Sequence, residues 1–247
     1  MKFSPLLLFL CLLSLSLPAQ LRIGLESGLA FSQYNDVRVP NGEEEKGTRF
    51  SLTDDFSPEE PAPFIRLELG YLIKQKHTIE LTAAPLILDY KNLQRDSINF
   101  AGTTFTGENI TGRYEFNTYR LSYRYRLIRN PKISLDLGAT LLVRDARIAI
   151  TQQELQAEDV DLGFVPLISF AFNYAPADLL SLLLKGDALV GPQGRAEDIF
   201  GGILFHFLDD RLQLKAGYRF IEGGADVQQV YNFAFIHFID LGLGYKF

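Results

Sequence analysis

The stretch Tyr231–Phe247, YNFAFIHFIDLGLGYKF, decides how this chain is read. Tyr231, Phe233, Phe235, His237, Ile239, Leu241, Leu243, Tyr245 and Phe247 fall at every second place. Asn232, Ala234, Ile236, Phe238, Asp240, Gly242, Gly244 and Lys246 fall between them. A period of two puts alternate side chains on opposite faces of a strand, here one aromatic and aliphatic, the other mostly small or polar. Working outward, 113–128 repeats the rule, with Tyr119, Leu121, Tyr123, Tyr125 and Leu127 set against Thr118, Arg120, Ser122, Arg124 and Arg126.

Ten segments alternate in this way: 21–34, 62–73, 77–90, 113–128, 132–149, 161–174, 179–190, 196–207, 211–222 and 231–247. Their connections come in two alternating kinds. Short turns fall at 74–76, 129–131, 175–178 and 208–210; longer connections, all exceeding a minimal hairpin, fall at 35–61, 91–112, 150–160, 191–195 and 223–230. Short turns at one end and longer loops at the other predict an all-β, up-and-down antiparallel transmembrane barrel of about ten strands, with both termini at the short-turn end. Eight strands is the alternative count, reached if 77–90 or 113–128 is partly loop.

Composition agrees. The 247 residues are 47% apolar and 22% charged, with 20 Phe, 11 Tyr and no Trp, too hydrophobic and aromatic for a disordered chain. A formal charge of −6 argues against nucleic acid as a partner. Residues 1–19 read as an export signal: Lys2, an apolar stretch from Pro5 to Leu17, and a cleavage site at Leu17-Pro18-Ala19. A lipoprotein reading at Cys11 fails because Phe9 and Leu10 are too large for a lipobox. Cleavage after Ala19 leaves a barrel domain over 20–247 with no cysteine, which excludes disulfides and thiolate chemistry.

Three features turn the apolar face outward. The polar face carries small residues such as Gly24, Gly70, Gly138, Gly202 and Gly217, suited to a crowded concave interior. The apolar face carries no charge through the middle of any segment, as a lipid-facing surface requires. Aromatics gather in two girdles, with Tyr71, Tyr125, Tyr174, Phe207 and Tyr245 toward the turns and Phe31, Tyr119, Phe164, Phe220 and Phe233 toward the loops.

At this point the chain resembles the outer-membrane β-barrel proteins of Gram-negative bacteria, in particular the small barrels grouped as porin-like. The most specific element is Leu241-Gly242-Leu243-Gly244-Tyr245-Lys246-Phe247. A terminal Phe preceded by outward residues Leu241, Leu243 and Tyr245 is similar to the signal read by the barrel-assembly machinery in that family. The resemblance implies location in the outer membrane, periplasmic termini, extracellular long loops, and contact with lipid and lipopolysaccharide.

The lumen face carries Arg22, Arg66, Arg120, Arg124, Arg126, Arg144, Lys185, Lys215 and Arg219 against Glu26, Glu68, Glu80, Asp136, Asp187, Asp198 and Asp240. Buried ions of this kind must be paired or wet. The register predicts Arg124 or Arg126 beside Asp136, and Lys215 facing Asp240. A packed lumen is the expectation; a narrow passage for small anions along Arg120, Arg124 and Arg126 is the alternative. Loop 35–61, with Asp36, Glu43, Glu44, Glu45, Asp54, Asp55, Glu59 and Glu60 against Arg38, Lys46 and Arg49, reads as a solvated acidic loop. Divalent-cation binding is its functional reading, but the ligand spacing of a calcium loop is missing.

The enzyme reading ranks third, as a lipid- or peptide-hydrolysing activity. His77 and His206 lie near the short turns, and the long loops hold no histidine, where omptin-type proteases need one. His237 sits where lipid A deacylases keep a catalytic histidine, but Phe238 and Ile239 follow it in place of a serine. No Ser-His-Asp spacing, metal cluster or phosphate cradle stands out. The expectation is therefore an integral outer-membrane barrel with a structural or surface-interaction role, no catalytic residues and no cofactor or metal.

Overall fold

The computed structural model describes residues 19–192 and 194–247. The expected signal segment, Cys11 included, lies outside the described residues apart from Ala19. Ten long strands build the barrel: β1 (Ala19–Arg38), β2 (Ala62–Ile73), β3 (His77–Ala84), β4 (Ile110–Arg129), β5 (Ile133–Gln152), β6 (Leu155–Ala177), β7 (Leu180–Gly191), β8 (Gly194–Phe207), β9 (Leu212–Asp226) and β10 (Tyr231–Lys246). Each pairs antiparallel with its chain neighbours, and β10 closes onto β1 from Arg22↔Lys246 to Arg38↔Tyr231. Closure removes the two sheet edges that an open meander would leave. The ten-strand count holds over the alternative of eight. Within 77–90, Pro85 interrupts β3, and a short strand Ile87–Lys91 resumes beside β4.

The pleat sorts the two faces as expected. Leu67 and Leu81 on the outside are each 51% exposed, while Glu26 and Arg66 on the inside are 2% and 4% exposed. Apolar out and charged in is the arrangement of a wall between lipid and a polar lumen. In β1 the alternation shifts once, where the register with β10 slips between Ser32 and Tyr34. Beyond this bulge the odd-numbered Asn35 and Val37 take the buried side.

The connections differ from expectation at the loop end. Three of the five longer connections are hairpins: strands pair up to Gln152↔Leu155, Gly191↔Gly194 and Asp226↔Tyr231. Residues 150–160 are thus almost all strand, because their alternation continues against β4 and β6; Gln153, at φ 54°, makes the reversal possible.

The other two connections, 39–61 and 92–109, fold over the loop end as a cap. It contains a hairpin of Ser97–Phe100 and Thr103–Thr106, and short strands at Phe50–Ser51 and Ser57–Pro58 that pair with β1 and with Ile87–Lys91. Phe50, Leu52, Phe56, Ile98, Phe100 and Phe105 are buried in one cluster with Val37, Leu88, Tyr114 and Ile150 of the strands below. Phe50 lies 5.9 Å from Phe100 and 6.0 Å from Phe56, centroid to centroid, in tilted or edge-on contacts. Gly47 is required here, since a Cβ on it would lie 2.1 Å from the Val39 carbonyl oxygen. The solvated acidic loop of the sequence reading is therefore corrected: only part of it, including Glu43, Glu44 and Glu45, stands exposed, while its apolar residues form a core. Asp55 pairs with Arg95 at 3.2 Å and Asp36 with Arg49 at 3.1 Å.

Candidate functional site

The functional candidate is the interior. Alternation points one side chain in two of every strand at the barrel axis, and in the middle of the barrel those side chains are long and charged. Asp198 of β8 is the hub. It accepts hydrogen bonds from Arg66 of β2 at 3.0 Å and Arg219 of β9 at 2.7 Å, and pairs closely with Arg120 of β4. Arg120 also donates to Asp187 of β7 at 3.2 Å. Arg219 in turn reaches Asp240 of β10 at 3.1 Å and Glu26 of β1 at 2.5 Å. All seven of these residues are buried. Because β2 and β4 are not neighbours of β8 in the sheet, these bridges cross the lumen and form a septum. Phe200 is fully buried beside it, with Lys215 and Arg219 over its ring at 4.6 and 5.3 Å. Gly202 and Gly217 leave space for that ring, since a Cβ on either would lie within 2.6 Å of it.

A second layer lies toward the turn end. Lys185 of β7 joins Glu68 of β2 at 2.9 Å and Glu80 of β3 at 2.8 Å, and Arg124 also reaches Glu80 at 2.8 Å. Arg126 grips Asp136 in a two-pronged contact of 2.7 and 2.9 Å. Of the lumen-face residues read from sequence, Arg66, Glu68, Glu80, Arg120, Arg124, Arg126, Asp136, Lys185, Asp187, Lys215, Arg219 and Asp240 are in ion pairs, whereas Arg22 forms none among the described residues. Of the two expected hairpin pairs, Arg126–Asp136 forms. Lys215 does not face Asp240; it pairs with Glu26, and Asp240 is taken by Arg219. The cause is closure, which brings β1 beside β10 and offers Lys215 a carboxylate from the far end of the chain.

The septum separates two cavities with no lining residue in common. The turn-end cavity, about 320 Å³, is lined by both signs of charge, among them Arg22, Glu80, Lys185 and Lys246. The loop-end cavity is about 70 Å³, with apolar walls including Leu142, Leu167 and Ile236 and a rim of Asp159, Arg195 and Glu197. Arg120 and Asp198 form its floor. Above it, burial pushes the Tyr90 hydroxyl up to about 12, despite hydrogen bonds to Ser32 and Asn35.

The histidines fall where expected along the chain, but one is in unforeseen company. His77 meets the Tyr123 hydroxyl at 2.9 Å on the outer face, and His237 contacts the Tyr218 hydroxyl there. His206 Nε2 lies 2.7 Å from Ser181 Oγ, and its Nδ1 lies 2.5 Å from Asp210. Pairing of β7 with β8 brings Ser181 and His206, 25 residues apart, into this contact, which no local Ser-His-Asp spacing reveals. Ser181 has no exposed surface. Among the described residues, no group of three or more His, Cys, Asp or Glu is placed to hold a metal ion.

A closed ten-stranded meander with an apolar exterior and a charged interior has the fold of the outer-membrane β-barrels. Among solved structures the chain is similar to the outer membrane protease OmpT from Escherichia coli, with a TM-score of 0.55 and 12% identity over 92% of this chain and 97% of that one. It also matches the β domain of the Bordetella autotransporter BrkA (TM-score 0.48, 11% identity, 93% and 99% covered). The COG4313 outer membrane channel from Pseudomonas putida F1 is another match (TM-score 0.43, 13% identity, 94% and 97% covered). At such identities the likeness is one of fold alone. No protein-family description matches the chain, and no curated protein does.

Proposed function

We propose that this protein is a sealed barrel of the bacterial outer membrane whose role is interaction at the cell surface, not solute passage. Both termini and the short turns face the periplasm, and the capped loop end faces outward. The observation that carries this reading is the septum: ion pairs bridge non-neighbouring strands across the lumen and leave separate cavities above and below. A passing ion would have to displace buried, mutually neutralising charges, and breaking one such pair costs about 3–5 kcal/mol. The test is single-channel recording of the full chain in planar bilayers, with liposome swelling in graded sugars. Silence in both is expected; conductance steps above the lipid control, or swelling, would overturn the reading. The outward stripe Leu241, Leu243, Tyr245 and Phe247 is, on this proposal, the contact with lipid and the signal to the assembly machinery. Phe247→Ser should then lower the folded fraction in cells.

The Ser181–His206–Asp210 contact favours a second reading, a hydrolase reached through the turn-end cavity that His206 and Asp210 line. It ranks lower because Ser181 is fully covered. Labelling of the native protein at Ser181 by a fluorophosphonate, lost in His206→Ala, would put this reading first.

A further inference from the structure

One strand of the barrel is left with an open edge. β6 pairs with β5 along its whole length, from Ile133↔Tyr174 to Gln152↔Leu155. On its other side it pairs with β7 only as far as Ile168↔Ala188. Pro166, which has no N–H to donate, follows at the point where that ladder stops, and the β7–β8 hairpin turns back at Gly191↔Gly194. From Leu155 to Leu167, no strand among the described residues pairs with this edge. On the outer face of this stretch Val160, Leu162 and Phe164 are 59%, 62% and 65% exposed, apolar surface lying along the unpaired edge.

The inner side of the same edge is acidic. Asp159, Asp161 and Val165 line the loop-end cavity, and Glu197 of β8 lies on its rim across the notch. Asp161 is paired with Arg144, whereas Asp159 and Glu197 have no salt bridge or side-chain hydrogen bond among the described residues. Burial, and then the charge of Asp161, push the Asp159 carboxyl above the usual range. An opposite charge brought beside Asp159 would relieve both effects.

We propose that this edge is the docking site for an extended polypeptide segment, added as a strand beside β6, with basic side chains facing Asp159 and Glu197 and apolar ones lying along Val160 and Leu162. This names the partner chemistry for the surface-interaction reading and rests on it. A strand is what the site lacks, because a row of free N–H and C=O groups at strand spacing is met by another backbone and not by a lipid chain. Position agrees. From Tyr174 at the turn-end girdle, a tilted strand climbs roughly 2.5 Å per residue, so an apolar band of about 25 Å ends near Phe164. Leu155–Gly163 therefore stands clear of the acyl chains.

The test uses the full chain in lipid nanodiscs with two synthetic nonapeptides, one alternating Lys and Val, the other Glu and Val. Hydrogen–deuterium exchange should slow at least tenfold within 155–167 on adding the Lys–Val peptide, with no comparable change in β2 or β9. The Glu–Val peptide should give no protection, and Asp159→Lys should weaken Lys–Val binding at least tenfold by fluorescence anisotropy. Leu162→Asp, which leaves the inner face untouched, should also weaken it. Absence of protection at millimolar peptide, equal protection by both peptides, or binding undiminished in folded Asp159→Lys would each overturn the proposal. Bilayer recordings on the same preparation separate the two levels: conductance defeats the sealed-barrel reading, whereas silence without peptide protection defeats only the docking edge.

Discussion

Across the middle of the barrel, Arg66 and Arg120 reach over the lumen to Asp198, where Arg219 of the adjacent strand joins them; at the loop end, Phe50, Phe56, Phe100 and Phe105 pack into an apolar core. Both regions fill the same tube, and opposite forces hold them. The septum is built from side chains anchored on fixed strands, and a ten-stranded wall is too wide for aliphatic side chains to meet at the axis. Long guanidinium and ammonium groups span the distance, and each needs a carboxylate because water is largely excluded. The cap brings its own backbone into the mouth, so its phenylalanines need only ordinary van der Waals reach.

The difference can be broken from either side. Asp198→Ala should have the largest effect, because it strands Arg66, Arg120 and Arg219 around one vacated position. A loss of about 3–5 kcal/mol is expected in urea unfolding from lipid vesicles, felt by the whole barrel. Phe56→Ala removes a buried ring from the cap and should cost about 3 kcal/mol, confined to cap opening. Limited proteolysis within 41–60 should accelerate while the barrel's own unfolding midpoint stays put; a shift of both together would show that cap and wall are one cooperative unit.

Smaller effects sharpen the contrast. Arg126–Asp136 lies near the turn end with the arginine side chain 16% exposed, so Arg126→Ala, which removes a two-pronged bond to a carboxylate, should cost about 2 kcal/mol, less than at Asp198. An effect as large as that at Asp198 would extend the dry septum to the barrel's end. Tyr90→Phe should change least at neutral pH, about 1 kcal/mol, since of the hydroxyl's two hydrogen bonds the one accepted from Asn35 is long at 3.5 Å. Its value lies in alkali. With the hydroxyl raised by burial to about 12, Tyr90 contributes its stability fully below the unfolded value near 10 and loses it as pH climbs through about 12. Cap opening, followed by exchange at Phe50–Ser51, should steepen over that window in the wild type and flatten in Tyr90→Phe.

Much of this was legible beforehand, and the reasons are physical. A strand's two faces are written in its own residues, so Tyr231–Phe247 announces its outward stripe without reference to anything else. The hairpin partner of Asp136 was readable to within Arg124 or Arg126 because a short turn nearly fixes which residues sit opposite, and an irregularity at Leu135–Asp136 sets it at Arg126. Lys215–Glu26 was not, since the two are joined only when the barrel closes. The bulge after Ser32, which moves Asn35 and Val37 to the buried side, breaks the very period on which the reading depends.

The sequence alone determined that this chain makes strands with one greasy and one polar side, and that it makes about ten of them, because alternation is a local property of the pleat. Which charges neutralise one another, which serine meets His206, how the two long loops condense into a cap, and where β6 is left without a neighbour were decided only by the tertiary structure. Those are relations between residues far apart in the chain, set by closure and by the unequal heights of the hairpins, and no short stretch of sequence contains them.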